Sequence, residues 1–504
     1  MWKPEKILFD ESDDEGLSYV YFDLGNFRYF TLTFNPDEDD EIYLEFNEQT
    51  FSIESNNVSY TLNNRIVSLD FGADIQEALK IEKHIDIDIV SHIDINSFGK
   101  TLANIFPMPA NRDSTRTIKK SINTFHKKGN KMNPVFQPYT FNNGATVPNR
   151  LAVAPMTHFA SDENGHITDQ ERTFLQNRFR GFGLFITAAT LVQANGKTFE
   201  GQPYAISEDD LPSLREVAQI AQVQGAKAIL QIHHGGKFAP KELSADIVAP
   251  SSDEASGARE LSAAEIEQLI AAYANAAALA VQAGFDGVEI HGANAYLLQQ
   301  FVSAQTNRRT DEWGGSLHNR LRFPLAVVDA VVDAVKAHAN PDFILGYRFS
   351  PEESGEHGIT MTETFALVDA LVQKPLQYLH VSLWDFYKHV RRGADANRTR
   401  MELLHEHIGG RLPLIGVGNL YTGSDIAKAF DTGWAEFIAL GKTVMINPDL
   451  ADLVRENRDA DIQTALDPDR ADHYRLPDPL WQRCHNNSPW LPPVKGMERK
   501  TVDI

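Results

Sequence analysis

The chain has 504 residues and a formal net charge of −22 at pH 7. That is too long for one ordinary domain, and too acidic for a nucleic-acid or anionic-membrane partner, both of which want a basic surface. A single cysteine, Cys484, excludes internal disulfides, a cysteine-ligated zinc site and an iron–sulfur cluster.

No apolar run approaches the length of a membrane span, and Met1-Trp2-Lys3-Pro4 begins nothing like a signal peptide. A soluble, cytoplasmic protein is expected. From Met1 to Ala110 the chain carries 22 acidic against 7 basic side chains, a marked sign asymmetry. Residues Phe27 to Phe34 and Ile42 to Phe46 are rich in aromatic and β-branched side chains, which predicts strands. Asn56-Asn57 and Asn63-Asn64 suit tight hairpin turns. Phe98, Leu102 and Ile105 share one helical face. A small, mostly β α+β domain over 1–110 follows, which resembles in overall pattern the small acidic immunity domains of bacterial toxin conflict systems. That resemblance implies a protein partner for 1–110. His84 and His92 stand among aspartates and read as a solvated surface rather than a metal site. No metal is expected anywhere in the chain.

Between Asn111 and Lys131 the composition changes. Arg112, Arg116, Lys119, Lys120, Lys127, Lys128 and Lys131 crowd a stretch almost free of apolar residues, which reads as a basic linker.

From Asn149 onward short apolar runs alternate with amphipathic helices, the mark of repeated βα units. Strands are predicted at 151–155, 184–189, 228–231, 287–291, 344–349, 378–381, 414–417 and 437–440. Thr168 with Glu171, Ser262 with Glu265 and Thr360 with Glu363 fit the capping box. Eight such units over the span 132–460 suit a TIM (β/α)8 barrel better than an open doubly wound sheet. The tail, 461–504, carries five prolines from Pro477 to Pro493 with Trp481 and Trp490. Its aromatics should pack on the outside of the barrel or cap one end, and it shows no chemistry of its own.

The chemistry gathers in the fourth unit. Gly287-Val288-Glu289-Ile290 leads into His291-Gly292-Ala293-Asn294-Ala295-Tyr296, followed by Thr306-Asn307-Arg308-Arg309-Thr310-Asp311, Gly314-Gly315-Ser316 and Asn319-Arg320-Leu321-Arg322-Phe323. A strand that ends on a histidine, an amide and a phenol has the form of a catalytic strand end in a barrel. His291 and Asn294, three apart, would share one side of a helical turn. This stretch resembles the old yellow enzyme family of flavin-dependent ene-reductases, and Met132-Asn133-Pro134 resembles the start of a free-standing member. The upstream domain would then be attached to an enzyme complete without it.

The resemblance implies FMN as cofactor, NADPH or NADH as reductant, and an α,β-unsaturated carbonyl compound as substrate. His291 and Asn294 would hydrogen-bond the substrate carbonyl, and Tyr296 would protonate its α-carbon. Pro155, Met156 and Thr157 would border the flavin, with Thr157 donating to its C4 carbonyl. Ala189 would leave room for the ring, Gln231 would read its pyrimidine edge, and Arg348 would stand near N1 and O2. Gly416-Val417-Gly418-Asn419 and Gly441-Lys442 follow the last two predicted strands, where barrels commonly bind phosphate. Lys442 departs from the family, which usually has Arg; a point cation lacks the bidentate fork, so looser FMN retention is expected. Phe159, His233, His234 and Trp384 would line the substrate mouth. Adjacent residues of a strand face opposite ways, so only one of the two histidines can do so. A demethylating or dehydrogenating barrel relative is disfavoured by the missing cluster cysteines. The rival reading from another class is a binding protein acting through 1–110, with the barrel as fused cargo.

Overall fold

The computed structural model describes residues 134–497, apart from 177 and 487. Before that it describes the backbone of eight strand segments. The chain divides into two compact units, 1–127 and 128–504.

In the first unit Lys6–Asp10, Ser18–Gly25, Arg28–Phe34, Ile42–Phe46 and Ile53–Glu54 form one antiparallel sheet in that order. Val58–Asn63, Ile66–Phe71 and His84–Asp88 form a second. The two strands expected from composition are present. Asn63 pairs with Ile66, and Asn64 lies outside the described residues. Asn56-Asn57 likewise lies outside the described residues. His84 begins a strand. His92 and the expected helical face of Phe98, Leu102 and Ile105 lie outside the described residues, as does the stretch 111–131.

In the second unit eight parallel strands close a barrel. They are β1 (Leu151–Val153), β2 (Leu184–Ile186), β3 (Lys227–His233), β4 (Gly287–Gly292), β5 (Ile344–Phe349), β6 (Tyr378–Val381), β7 (Leu414–Val417) and β8 (Phe437–Leu440). Closure is between β1 and β8, where Ala152 stands opposite Ala439. Each expected strand is found, β5 to β8 with the expected ends and β1 to β4 with shifted ones. β1 stops before Pro155, which has no N–H for a ladder, and β3 runs on through His233.

Helices α1 (Asp169–Leu175), α2 (Leu211–Gln222), α3 (Ala263–Ala283), α4 (Arg322–His338), α5 (Met361–Leu371), α6 (Arg400–Ile408) and α7 (Gly423–Asp431) follow the first seven strands in turn. The start of α3 is set by a full capping box of Ser262 and Glu265, and its end by Gly284 at φ +83°, where a side chain would be strained. Glu363 likewise accepts from the Thr360 backbone N–H at 3.0 Å. Thr168 caps α1 at the Glu171 N–H. The Glu171 carboxylate also reaches inward to Ser161 and His158.

Because strand side chains alternate, every second residue of each strand enters the barrel. The lower interior is apolar: Leu184, Ile186, Ile229, Ile344, Ile415 and Phe437 pack with Phe141 from the hairpin of Tyr139–Thr140 and Thr146–Val147. Phe141 stacks on Phe437 with ring centroids 5.5 Å apart. This plug seals the amino-terminal end, so polar side chains higher on the strands face only the carboxyl-terminal rim. Among the described residues no helix is long and apolar enough to cross a membrane.

Candidate active site

His291 is the penultimate residue of β4, buried, and its Nδ1 accepts the Ala293 N–H at 3.3 Å. That assigns the proton to Nε2. Burial, with His233, Arg348 and His380 nearby, holds its pKa well below the usual histidine value. It is therefore a neutral donor.

The turn that follows is not helical as the spacing suggested. Asn294 and Ala295 both take left-handed conformations, at φ 58° and 59°, each costing on the order of 1–2 kcal/mol for a non-glycine residue. Specific bonds hold them. The Asn294 N–H donates to Ser350 Oγ at 2.8 Å, the Ala295 N–H to Gln299 Oε1 at 2.9 Å, and Gln300 Nε2 to the Ala295 carbonyl at 2.7 Å. Ser382 Oγ then donates to Asn294 Oδ1 at 2.7 Å. With its oxygen engaged, Asn294 presents its Nδ2 amide as the donor.

Tyr296 heads the short helix Leu297–Val302. Its ring stands edge-on to His233 at 4.4 Å and to His291 at 5.4 Å between centroids. Burial raises the phenol pKa, so it stays protonated. Phe238, an exposed ring at 6.2 Å, forms its outer neighbour.

The histidine pair divides as strand alternation requires. His233 packs with Tyr296 and His291, and its Nε2 bonds Thr198 Oγ1 at 3.0 Å. His234 turns away to Asn195 Oδ1 and the Gly236 N–H. A Cβ on Gly196 would lie 2.3 Å from its ring. Burial lowers both to about 3.

Below this rim lies a buried polar layer that the motif reading missed. Glu289, two residues before His291 on the same face of β4, accepts from Gln231 Nε2 at 2.6 Å, Tyr378 Oη at 3.0 Å and His380 Nδ1 at 2.8 Å. Arg348 stands opposite His291 on one side and His380 on the other. Its side chain is only 7% exposed, its Nε has no partner, and burial lowers its pKa against the pull of Glu289. The signal was present: a carboxylate and a histidine inside two otherwise apolar strand runs.

Thr157 and Met156 follow β1, with Pro155 between them and the strand end; among the described residues nothing bonds the Thr157 hydroxyl. Ala189 is buried, and its carbonyl accepts Gln202 Nε2 at 3.0 Å. The loops after β7 and β8 are joined by a bond from Thr443 Oγ1 to the Tyr421 carbonyl at 2.9 Å. Backbones crowd there. A Cβ on Gly418, at φ +136°, would meet the Phe386 N at 2.6 Å, one on Gly416 the Phe386 ring at 2.5 Å, and one on Gly441 the Met156 sulfur at 2.7 Å. Val417 is half-buried, and Asn419 is exposed at φ 50°. Lys442 Nζ lies 5.3 Å from the Trp384 ring centroid and donates to the Pro489 carbonyl at 3.2 Å. Trp384 thus stands beside Lys442.

Phe159 is buried against Phe199 and Trp490, with the Arg483 guanidinium 4.2 Å over its ring. The proline-rich tail thus reaches the catalytic rim, where Pro489 and Trp490 touch residues expected to serve cofactor and substrate. The second half of the long motif is a brace. Asn307 Nδ2 binds the carbonyls of Phe301 and Trp313, Arg309 pairs with Asp311, and Arg320 pairs with Glu363.

These residues fit FMN. The buried Arg348 Nε lacks an acceptor and Gln231 Oε1 meets no donor among the described residues, and the two glycine loops that meet after β7 and β8 could offer backbone N–H groups to a phosphate.

Residues 134–461 match the NADH:flavin oxidoreductase / NADH oxidase family. A probable NADH-dependent flavin oxidoreductase, YqiG, of Bacillus subtilis (strain 168) is 47% identical over 367 residues, 72% of this chain and 98% of its own. A probable flavin mononucleotide-dependent alkene reductase of Leishmania infantum is 31% identical over 333 residues, 61% of this chain and 86% of its own. Among solved structures, morphinone reductase aligns at a TM-score of 0.56 and 28% identity, over 64% of this chain and 90% of its own. The family match stops short of the first 110 residues, whose likeness to immunity domains is not borne out. The chain belongs to the NADH:flavin oxidoreductase / NADH oxidase family, and is an oxidoreductase with FMN as its cofactor and a nicotinamide as its reductant.

Proposed function

We propose that the protein reduces the C=C bond of α,β-unsaturated carbonyl compounds. Bound FMN supplies the relay of hydride from NADH or NADPH to the substrate's β-carbon. Gln231, Arg348 and Thr157 hold the isoalloxazine, Ala189 leaves it room, and the loops at Gly416–Asn419 and Gly441-Lys442 hold the phosphate. His291 Nε2 and Asn294 Nδ2 donate to the substrate's carbonyl oxygen. They stabilise the negative charge that gathers there, a contribution on the order of 10²–10³ in rate for each donor. Tyr296 then gives its proton to the α-carbon. A phenol is a weak acid and burial makes this one weaker, but the carbanion it meets is a strong base.

One observation carries this reading. A neutral imidazole and a protonated phenol meet at 5.4 Å at a barrel strand end, with the Asn294 amide three residues along. The Leishmania relative's name, an alkene reductase, supports it. The test is anaerobic: the purified yellow protein is bleached with NADH or NADPH, then offered cyclohexenone. Return of the flavin absorbance with formation of cyclohexanone is expected. Bleached flavin that cyclohexenone leaves unchanged, but oxygen reoxidises, would assign a plain oxidase instead.

A further inference from the structure

The buried layer under the rim has a consequence for which ligand edge the site accepts, and it rests on the flavin reading above. A glutamine amide carries an oxygen that only accepts and an NH2 that only donates, and a free one presents either end by a half-turn. Gln231 is not free. Its backbone N–H is held by Thr187 Oγ1 at 2.9 Å, and its Nε2 donates to Glu289 Oε1 at 2.6 Å. An ionised carboxylate only accepts, so the NH2 must face it. Burial would push the Glu289 carboxyl up, but the His380 imidazole, its hydrogen bonds and Arg348 outweigh that and hold it below the usual range. Its other oxygen takes two donors, Tyr378 Oη at 3.0 Å and His380 Nδ1 at 2.8 Å, and all three residues are fully buried. Among the described residues no donor meets Gln231 Oε1, which is left for a ligand.

We propose that Glu289, clamped by Tyr378 and His380, is a positioning residue that locks the Gln231 amide with its oxygen outward, so the site selects a ligand edge with an N–H donor. The pyrimidine edge of an isoalloxazine has one, the imide N3–H, between two carbonyls. Glu289→Gln reverses the lock. The oxygen of the new amide is drawn to the position that receives two donors, its NH2 then faces Gln231, and the Gln231 amide turns its own NH2 outward.

The test uses the full-length apoprotein titrated with FMN and with 3-methyl-FMN, which lacks the N3 proton. Wild-type protein is expected to bind FMN at least about tenfold more tightly than the analogue, a difference of about 1.4 kcal/mol. Glu289→Gln is expected to bring that ratio below about threefold, and Tyr378→Phe, which removes one clamp donor, to an intermediate value. General damage to the site would weaken both ligands alike and leave the ratio standing. Should Glu289→Gln fail to fold, Tyr378→Phe and His380→Asn carry the comparison. An unchanged ratio in the variants, or equal binding of both ligands by the wild type, overturns the lock and leaves the flavin reading intact. Wild-type protein that binds no FMN overturns the flavin assignment itself.

Discussion

At the scale of single residues, the site works by fixing which atom holds each proton. His291 is kept neutral by burial and by the nearby Arg348 guanidinium, and its Nδ1 is occupied by a backbone N–H. The remaining N–H is the one a carbonyl oxygen would meet. Tyr296 is kept protonated by the same burial. Removing only its hydroxyl therefore separates two steps: Tyr296→Phe is expected to slow turnover of cyclohexenone by roughly 10²-fold or more, while the rate of flavin bleaching by the nicotinamide stays within about twofold. Stopped-flow measurement of the two half-reactions checks this; equal slowing of both would place the phenol in packing. Lys442 is a second residue-level case. Its Nζ is shared between the Trp384 ring and the Pro489 carbonyl, and it lacks a fork. Lys442→Arg is expected to tighten FMN by about three- to tenfold, through a second hydrogen bond to phosphate. Fluorescence titration of the apoprotein reads it directly.

At the scale of elements, β3 and β4 carry more than ligands. The carboxyl end of β3 buries His233 and His234 as neutral rings, each with a pKa near 3 against about 6.5 in an unfolded chain. A depressed folded value means the unfolded state binds more protons in between. The stability these rings contribute is whole above pH 6.5 and is lost as pH falls from there towards 3. Each should cost about 1.4 kcal/mol per pH unit in that window. Urea unfolding at pH 7, 6 and 5 is expected to show a steep decline, and His234→Gln, which keeps an amide for Asn195 and Gly236, should flatten it. An identical slope in that variant would show the ring already charged in the fold. The loop behind β4 makes the complementary point. Its arginines and asparagine are spent on carbonyls and carboxylates of the brace.

At the scale of the whole molecule, the two units raise the question of dependence. The plug at Phe141 belongs to the barrel's own leading hairpin, so the barrel's interior is sealed without residues 1–127. A chain beginning at Met132 is expected to bind FMN within about twofold of the full-length affinity and to keep its melting temperature within a few degrees. Calorimetry with and without FMN checks both, and loss of flavin on truncation would make the acidic unit part of the enzyme. The tail is the opposite case. Arg483, Pro489 and Trp490 touch Phe159 and Lys442, so the carboxyl-terminal segment cannot be read as external packing.

Local pattern pointed to the parallel barrel, and the family resemblance strengthened it. Eight apolar runs alternating with capped helices allow few other arrangements, and the histidine, amide and phenol after Ile290 stood out because polar groups at a strand end need a reason. Alternation also separated His233 from His234. Other features were settled only by closure of the sheet. The bond from Gln231 to Glu289 joins residues 58 apart in sequence and that from His380 to Glu289 joins residues 91 apart, and no local rule pairs them. Strand register does, because a closed parallel sheet sets each inward residue beside a partner from a distant repeat. The left-handed turn at Asn294 and the tail's approach to Lys442 have the same origin. The bonds joining Ser350 and Ser382 to Asn294 and Lys442 to Pro489 span 56, 88 and 47 residues, so chemical type was legible in the sequence, but partnership came only with the fold.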